Sequence, residues 1–547
     1  MKRKLSKLIS ILMAVMICGS LMALPPITAN QEEIFGEGLI PESEEELQAF
    51  ADEFDQSSIS MPKTISTLPT SVDLSTSPCF PPIGNQGGIG SCAAWASTYY
   101  QYSYEVNKLN NVTSTENRVI YSPKWTYNNI NHGSDSGSSY TNAYRLLKNQ
   151  GALTQTQFPY PTSATSSNYN VQELPTYANA VKDMRNALNT RLTSYTTESI
   201  SGTGTAITSN SDSDLKTIKN LLISQKVLTF QTWNEFDYKH GTGSWSNTKL
   251  AYRCYDSDRS SHAMTVVGYN DNVTCDINGN GVIEEGEKGA FKVINSWGLT
   301  NSGANNNGVI WIMYDALNGT SANNLNESSF SYTRKHAMGT STNNVFNIIY
   351  VGHKDVSFVA EVSFSTNYRN QVKIDLGRGT GLNNNTFTTQ TVYNAFTGYE
   401  SVSVPYDGTM VFDFGDLADP ISNYYSNYYW RISLSDITND KNSVTFKSIK
   451  ITDDYGNVIN NLDNDTNANK QTIDGKSYAP IAKIDLEKGD MNYNRSFDYS
   501  DYNIYGTHVA GGRIISYLQN YLGDLNDNGK VDGYDVAIFL QIINGNY

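Results

Sequence analysis

The chain has 547 residues, 39% apolar and 17% charged, with 37 tyrosines, so it is too long for one hydrophobic core and too apolar to be disordered. A formal net charge of −15 repels phosphate backbones and argues against nucleic acid as a partner. Five cysteines are too few for a disulfide-built scaffold, so stability is expected from large cores and bound metal.

Lys2, Arg3, Lys4 and Lys7 precede an apolar run from Leu8 to Leu24, the form of a secretory signal. Residues 1–29 are expected to be removed after Ala23 or Ala29. The run is short for a bilayer span and no later stretch replaces it, so an extracellular chain with no membrane span is expected. Residues 30–67 are acidic and polar and read as a short prosegment or N-terminal arm. Within them Ser43 to Glu46 has the form of a capping box, with Leu47, Phe50 and Phe54 on one helix face.

Residues 68–337 form the first folded domain. A helix is predicted over 93–106 and strands over 263–269, 290–295 and 308–314, a helix-then-strand order that suggests α+β. The glycine-rich run Gly84 to Ser91 leads straight into the helix at Cys92. A thiol at a helix N-terminus is biased toward thiolate, the nucleophilic form. Gln86 can aim its amide N–H at a developing oxyanion, beside the backbone N–H of Cys92. Of six histidines, His262 stands out because it enters the apolar strand Thr265-Val266-Val267. In Asn295-Ser296-Trp297-Gly298, the Asn295 carbonyl can hold one imidazole nitrogen while the other faces sulfur, and Trp297 can cover the pair.

The order Gln86, Cys92, His262, Asn295, the Gly-Ser-Cys run and the Asn295-Ser296-Trp297-Gly298 segment resemble the papain-like cysteine peptidases. The resemblance implies a Cys-His-Asn triad of Cys92, His262 and Asn295, with Gln86 in the oxyanion hole, acting on protein or peptide substrates. This sequence departs from the family at Ala93-Ala94, at Ile89 in place of a cysteine, at Leu299 to Asn307 and in lacking a long inhibitory prosegment. Primed-side contacts and control as a zymogen are therefore not implied by the resemblance. Cys79 is left free to pair with Cys254 or Cys275. A catalytically dead fold that binds protein or glycan is the alternative reading.

Between His262 and Asn295 runs a twelve-residue loop with the EF-hand pattern. Its candidate calcium ligands are Asp276, Asn278, Asn280, the Val282 carbonyl, Glu284 and Glu287, with Gly281 at the sixth position.

From about 344 to 452 the apolar period becomes two, with strands expected near 356–360, 372–376, 401–404, 410–414 and 444–451, a β-sandwich. By its place after the peptidase it resembles a lectin-like domain. Tyr424, Tyr425, Tyr428, Tyr429 and Trp430 could stack on a glycan or pack internally. Residues 453–485 are polar and read as a linker, with room for one last strand.

Residues 486–547 hold a repeat at an offset of 34 residues. Asp490, Asn492, Asn494, Ser496, Asp498 and Asp501 form one candidate calcium set. Asp524, Asn526, Asn528, Lys530, Asp532 and Asp535 form the second, and apolar helices are expected near 501–519 and 535–543. The repeat resembles a dockerin, which implies two calcium ions, a cohesin-bearing scaffold as partner and a cell-surface cellulosome concerned with polysaccharide breakdown. By that resemblance Tyr499-Ser500 and Gly533-Tyr534 would face the cohesin. The fold class expected is therefore multidomain: an α+β papain-like domain, a β-sandwich and a small all-α calcium-binding module.

Overall fold

The computed structural model describes residues 36–545, apart from 60–64, 66, 163, 202–212, 233–234, 256–260, 300–306, 318–342, 383–385, 394–401, 418–427, 463–471 and 485. The proposed leader at 1–29 lies outside the described residues. Among those residues, no helix is long and apolar enough to cross a membrane.

The N-terminal arm folds as its sequence suggests. Helix α1 (Glu44–Ala51) has a reciprocal capping box: Ser43 Oγ accepts the Glu46 N–H at 3.1 Å, and Glu46 Oε2 accepts the Ser43 N–H at 2.8 Å. Its apolar face is buried, with Phe50 packed between Tyr144 and Tyr195 at ring-centroid distances of 6.5 and 4.8 Å. A short strand, β1 (Ser71–Asp73), follows. The expected central helix is present but not uniform. It opens as α (Cys92–Ala94), widens to π over Trp95–Tyr102 and closes as α at Ser103–Leu109; together these make α2. Next come α3 (Pro123–Ile130), α4 (Tyr140–Asn149) and α5 (Ala180–Ala187).

After β2 (Thr190–Ser201) and α6 (Ser213–Ile223) the chain becomes mostly strand. It forms β3 (Leu228–Thr232), β4 (Glu235–His240), β5 (Lys249–Tyr255), β6 (His262–Thr274), β7 (Lys288–Ile294), β8 (Val309–Met313) and β9 (Asn343–His353). These and β1 build one nine-stranded sheet in the order β2-β9-β3-β6-β7-β8-β5-β4, with β1 on β6. The expected strands at 263–269, 290–295 and 308–314 are thus β6, β7 and β8. Strand β9 corrects the domain boundary, because residues 344–353 pair with β2 and β3 and not with the sandwich. A period-two run shows that a strand exists but not which edge it joins, and Val345, Phe346, Ile348 and Ile349 are buried where they fill the gap between β2 and β3.

The sandwich comprises β10 (Val359–Thr366), β11 (Val372–Gly379), β12 (Phe387–Tyr393), β13 (Tyr406–Asp413), β14 (Tyr429–Asp436), β15 (Val444–Thr452), β16 (Val458–Asn461), β17 (Thr472–Ile473), β18 (Ser477–Tyr478) and β19 (Ile481–Lys483). One sheet runs β13-β10-β15-β16 with β17 on β15, and the other runs β12-β11-β14-β18 with β19 on β14. The expected linker at 453–485 therefore supplies four strands to the two sheets. They are short and polar outside, so their sequence lacks a clear alternation. The expected strand at 401–404 reduces to a single bridge of Val404 to Tyr368. Trp430 is core rather than a sugar platform: it is buried with Phe358 and Phe414 at 4.8 and 5.3 Å. Tyr424 and Tyr425 fall outside the described residues.

The sandwich is clamped to the first lobe. Arg191 and Asp413 form a buried ion pair at 2.5 Å, Arg185 meets Glu361 at 2.9 Å, and the buried Arg369 donates to the Asn128 carbonyl at 3.2 Å. The C-terminal region forms α7 (Tyr499–Val509), α8 (Tyr517–Gly523) and α9 (Gly533–Ile543). The long helix expected near 501–519 is broken between Ala510 and Ser516, where Gly511 adopts a left-handed conformation (φ 75°). Met491, Tyr505 and Phe539 lie in the module's own core, while Tyr493, Leu518 and Leu522 pack into the sandwich core.

Candidate functional site

Strand pairing assembles the site. β6 carries His262 at its first residue, where Thr232 of β3 is its partner, and Asn295 directly follows β7 on the other side. Cys92 begins α2, and its thiol rests on the backbone N–H of Ala263, next to His262. Gln86, Cys92, His262 and Asn295 are all at 0% exposure.

The imidazole is oriented through one nitrogen. His262 Nε2 lies 2.8 Å from Asn295 Oδ1, which also accepts the Ser296 N–H at 2.7 Å. An atom that accepts a backbone N–H is the amide oxygen, so Nε2 carries the proton and Nδ1 is the basic nitrogen. Among the described residues, Nδ1 has no hydrogen-bond partner. Trp297 covers the ring, with centroids 4.8 Å apart and planes at 34°. Burial drives the imidazole down to about 4, partly offset by the Asn295 hydrogen bond.

The thiol departs from the sequence expectation. A helix N-terminus favours thiolate, but complete burial pushes Cys92 up to about 11, against smaller opposing contributions from the Ala263, Gly38 and Ala93 N–H groups. Burial thus disfavours the charged form of both the thiol and the imidazole.

The burial has a specific cause. Residues 36–42 of the arm lie across the site. Gln86 Nε2 donates to the Gly36 carbonyl at 2.7 Å and to the Ile89 carbonyl at 2.8 Å, so the amide expected to serve an oxyanion is occupied by the chain itself. Gly36 N–H donates to Gly87, Leu39 N–H to Ser261 and Ile40 N–H to Ser138, while Ser138 N–H returns to Gly38. The approach is so close that a Cβ on Gly36 or Gly38 would stand 2.2 Å from the Ile89 or Gly90 carbonyl oxygen.

Three supporting residues were not singled out from the sequence. Ser296 Oγ donates to Gln86 Oε1, which aims the amide. Tyr160 OH bonds the Gln86 carbonyl at 2.8 Å and Ser91 Oγ at 2.8 Å. Asp135 Oδ1 accepts the Gly90 N–H at 2.9 Å and the Tyr127 hydroxyl at 2.5 Å, tying the glycine-rich loop before Cys92 to the loop after α3. Only Ser296, adjacent to Asn295, carried a sequence signal. Cys79 and Cys275 are free thiols, so neither makes the disulfide left open above.

The three expected calcium loops share one backbone path. The first-position carboxylates of Asp276, Asp490 and Asp524 accept the N–H groups of the fifth and sixth loop residues at 2.7–3.1 Å. The twelfth-position carboxylates Glu287, Asp501 and Asp535 accept those of the second, third and ninth. The fourth and sixth residues are left-handed in each: Gly279 and Gly281, Tyr493 and Arg495, Asp527 and Gly529. Arg495 thus takes the turn without a glycine. Within each loop the Asn side chains at positions 3 and 5 complete the circuit, for example Asn278 to Asn280 and Asn280 to Val282. Burial raises both Asp490 and Asp501, each further raised by a neighbouring carboxylate, a pairing a divalent cation would relieve. Among the described residues, no three His, Cys, Asp or Glu side chains converge as a metal cage. The oxygens these loops offer are amide, carbonyl and carboxylate, the donor types that calcium takes.

Residues 68–330 match the Papain family cysteine protease pattern. No curated protein matches the chain. Among solved structures, it overlaps xylellain, a cysteine protease from Xylella fastidiosa, at 20% identity, covering 58% of this chain and 97% of that one with a TM-score of 0.35. It also overlaps procathepsin B S9 from Trypanosoma congolense (14% identity, 59% and 87% coverage, TM-score 0.33) and digestive procathepsin L2 from Tenebrio molitor larval midgut (16%, 59% and 81%, 0.33). At these TM-scores the overlaps add nothing to the fold described above. The sequence match falls on the residues that carry the buried thiol, imidazole and amide, and residues 68–330 are a papain-family cysteine protease domain, a hydrolase.

Proposed function

We propose that the chain is an extracellular endopeptidase in which Cys92 is the nucleophile, His262 the base and Asn295 its orienting partner. The observation that carries this reading is the Nε2 contact with Asn295, which leaves Nδ1 as the acceptor nitrogen. When residues 36–42 lift away, water re-enters and the proton of Cys92 passes to Nδ1. The thiolate attacks the peptide carbonyl carbon, and the oxyanion is held by the Cys92 N–H and Gln86 Nε2. His262 returns its proton to the departing amine, and water then hydrolyses the thioester.

The same reading places calcium in the loop of Asp276 to Glu287 and in the two C-terminal loops. Calcium would supply charge neutralisation and rigidity there, and no catalytic step passes through it. The C-terminal repeat is proposed as a dockerin that attaches the enzyme to a cohesin-bearing scaffold. The test is casein cleavage by the full chain under reducing conditions with calcium, beside Cys92→Ala. Activity in the parent and none in the variant supports the reading. Equal activity in both would refute it.

A further inference from the structure

Beyond the crossing at Cys92, the arm inserts one side chain into a built seat. Glu42, four residues past Gly38, places its carboxylate at the N-terminus of α4. Oε2 accepts the Tyr140 N–H at 2.9 Å and the Thr141 N–H at 3.1 Å, and Oε1 accepts the Thr141 N–H at 3.2 Å and the Thr141 hydroxyl. Ser139 adds a side-chain hydrogen bond. The Glu42 peptide unit is read separately by Gln231, whose Oε1 accepts its N–H at 3.3 Å and whose Nε2 donates to its carbonyl at 2.9 Å. Thr141 and Gln231 are each 6% exposed. Gln231 pairs with Ala263 across the sheet, so the seat continues the cleft that His262 borders.

The donor set is one-sided. Two backbone N–H groups and the hydroxyls of Thr141 and Ser139 converge with the positive end of the helix dipole, and among the described residues no basic side chain hydrogen-bonds the carboxylate. A carboxylate accepts from all of them, whereas a carboxamide would turn an NH2 toward donors. The arm cannot keep this seat while a substrate occupies the cleft, because its neighbours Leu39 and Ile40 use the edges at Ser261 and Ser138.

We propose that, once the arm leaves, this seat is a substrate subsite selective for an acidic side chain, so the enzyme prefers peptides with Glu at one position within about four residues of the scissile bond. This rests on the peptidase reading above. The test uses the full-length chain with Glu42→Ala, which empties the seat, and Phe50→Ala, which loosens the arm, against a position-scanned peptide library. The expected result is Glu preferred over Gln by about tenfold in kcat/KM at a single position, a ratio that falls toward one in the added Thr141→Val variant, with urea midpoints confirming that both fold. Cleavage of the library with no acidic position overturns the proposal and leaves the peptidase reading standing. If no peptide is cleaved, the peptidase reading fails, and the seat is judged by binding. Fluorescent Gly-Leu-Ile-Pro-Glu-Ser and its Gln twin are titrated into the full chain carrying Glu42→Ala, Phe50→Ala and Cys92→Ala. Tighter binding of the Glu peptide supports the seat, and equal affinity overturns it.

Discussion

Gln86 donates its side-chain amide to the carbonyl of Gly36 at 2.7 Å, across fifty positions of chain. A donor suited to an oxyanion is thereby held by the protein's own backbone. The cleft is closed by main-chain hydrogen bonds at Gly36, Leu39 and Ile40, and closure is anchored downstream by the buried face of α1.

Loosening that anchor should open the site. Phe50 is fully buried among Tyr144, Tyr195 and Phe54. Phe50→Ala removes on the order of 3 kcal/mol of arm docking, so iodoacetamide should label Cys92 about a hundredfold faster. An unchanged labelling rate would mean that the arm is held by its backbone contacts alone.

The proposed triad makes a kinetic prediction. His262→Ala should lower kcat by on the order of 10²–10⁴ without a comparable rise in KM. Asn295→Ala should lower kcat less and displace the acid limb of the pH profile, because the imidazole loses the bond that fixes its tautomer. An Asn295→Ala profile identical to the parent's would remove Asn295 from the mechanism.

The pH dependence of the closed form follows from two opposite shifts. His262 is depressed to about 4, so below its unfolded value near 6.5 the unfolded chain takes a proton that the fold refuses, and stability falls as pH drops from about 6.5 to 4. Cys92 is raised to about 11, so above its unfolded value of 9 the unfolded chain loses a proton that the fold keeps, and stability falls from pH 9 to 11. Urea midpoints of the intact chain should be flat between these windows as far as these two groups are concerned. Cys92→Ala should remove its own share of the alkaline fall, leaving the share of Cys275, which burial also raises to about 11, and should leave the acid fall unchanged.

The clamp between lobe and sandwich is also testable. Asp413→Leu strands the guanidinium of Arg191 in a buried site and should cost about 3–5 kcal/mol. A lower-melting transition should then appear by calorimetry. Replacing both partners with apolar residues should recover much of the loss.

Calcium should raise the melting temperature of the full chain, by roughly 2.7 kcal/mol of stabilisation at a hundred times Kd for one site. Glu287→Gln should remove only the part that belongs to the peptidase loop, and Asp490→Asn with Asp524→Asn only the part that belongs to the C-terminal repeat. Identical melting in calcium and chelator would exclude all three sites.

Much of the chemistry was legible because it is local. The capping box Ser43–Glu46 and the loop positions Asp276 to Glu287, Asp490 to Asp501 and Asp524 to Asp535 are spacings that short-range hydrogen bonding enforces, so the sequence by itself determined them. The order Gln86, Cys92, His262, Asn295 was equally visible, since Cys92, His262 and Asn295 sit at the ends of a helix and two strands whose apolar patterns mark them, and Gln86 lies in the glycine-rich loop before Cys92. Tertiary structure alone decided the rest. Strand β9 joins β2 and β3, and β16 to β19 complete the sandwich, because strand partners are chosen by distant burial that a period of two does not encode. The opposite shifts of Cys92 and His262 were decided the same way: a helix N-terminus favours thiolate, but burial, to which the distant residues 36–42 contribute, pushes the thiol up and the imidazole down.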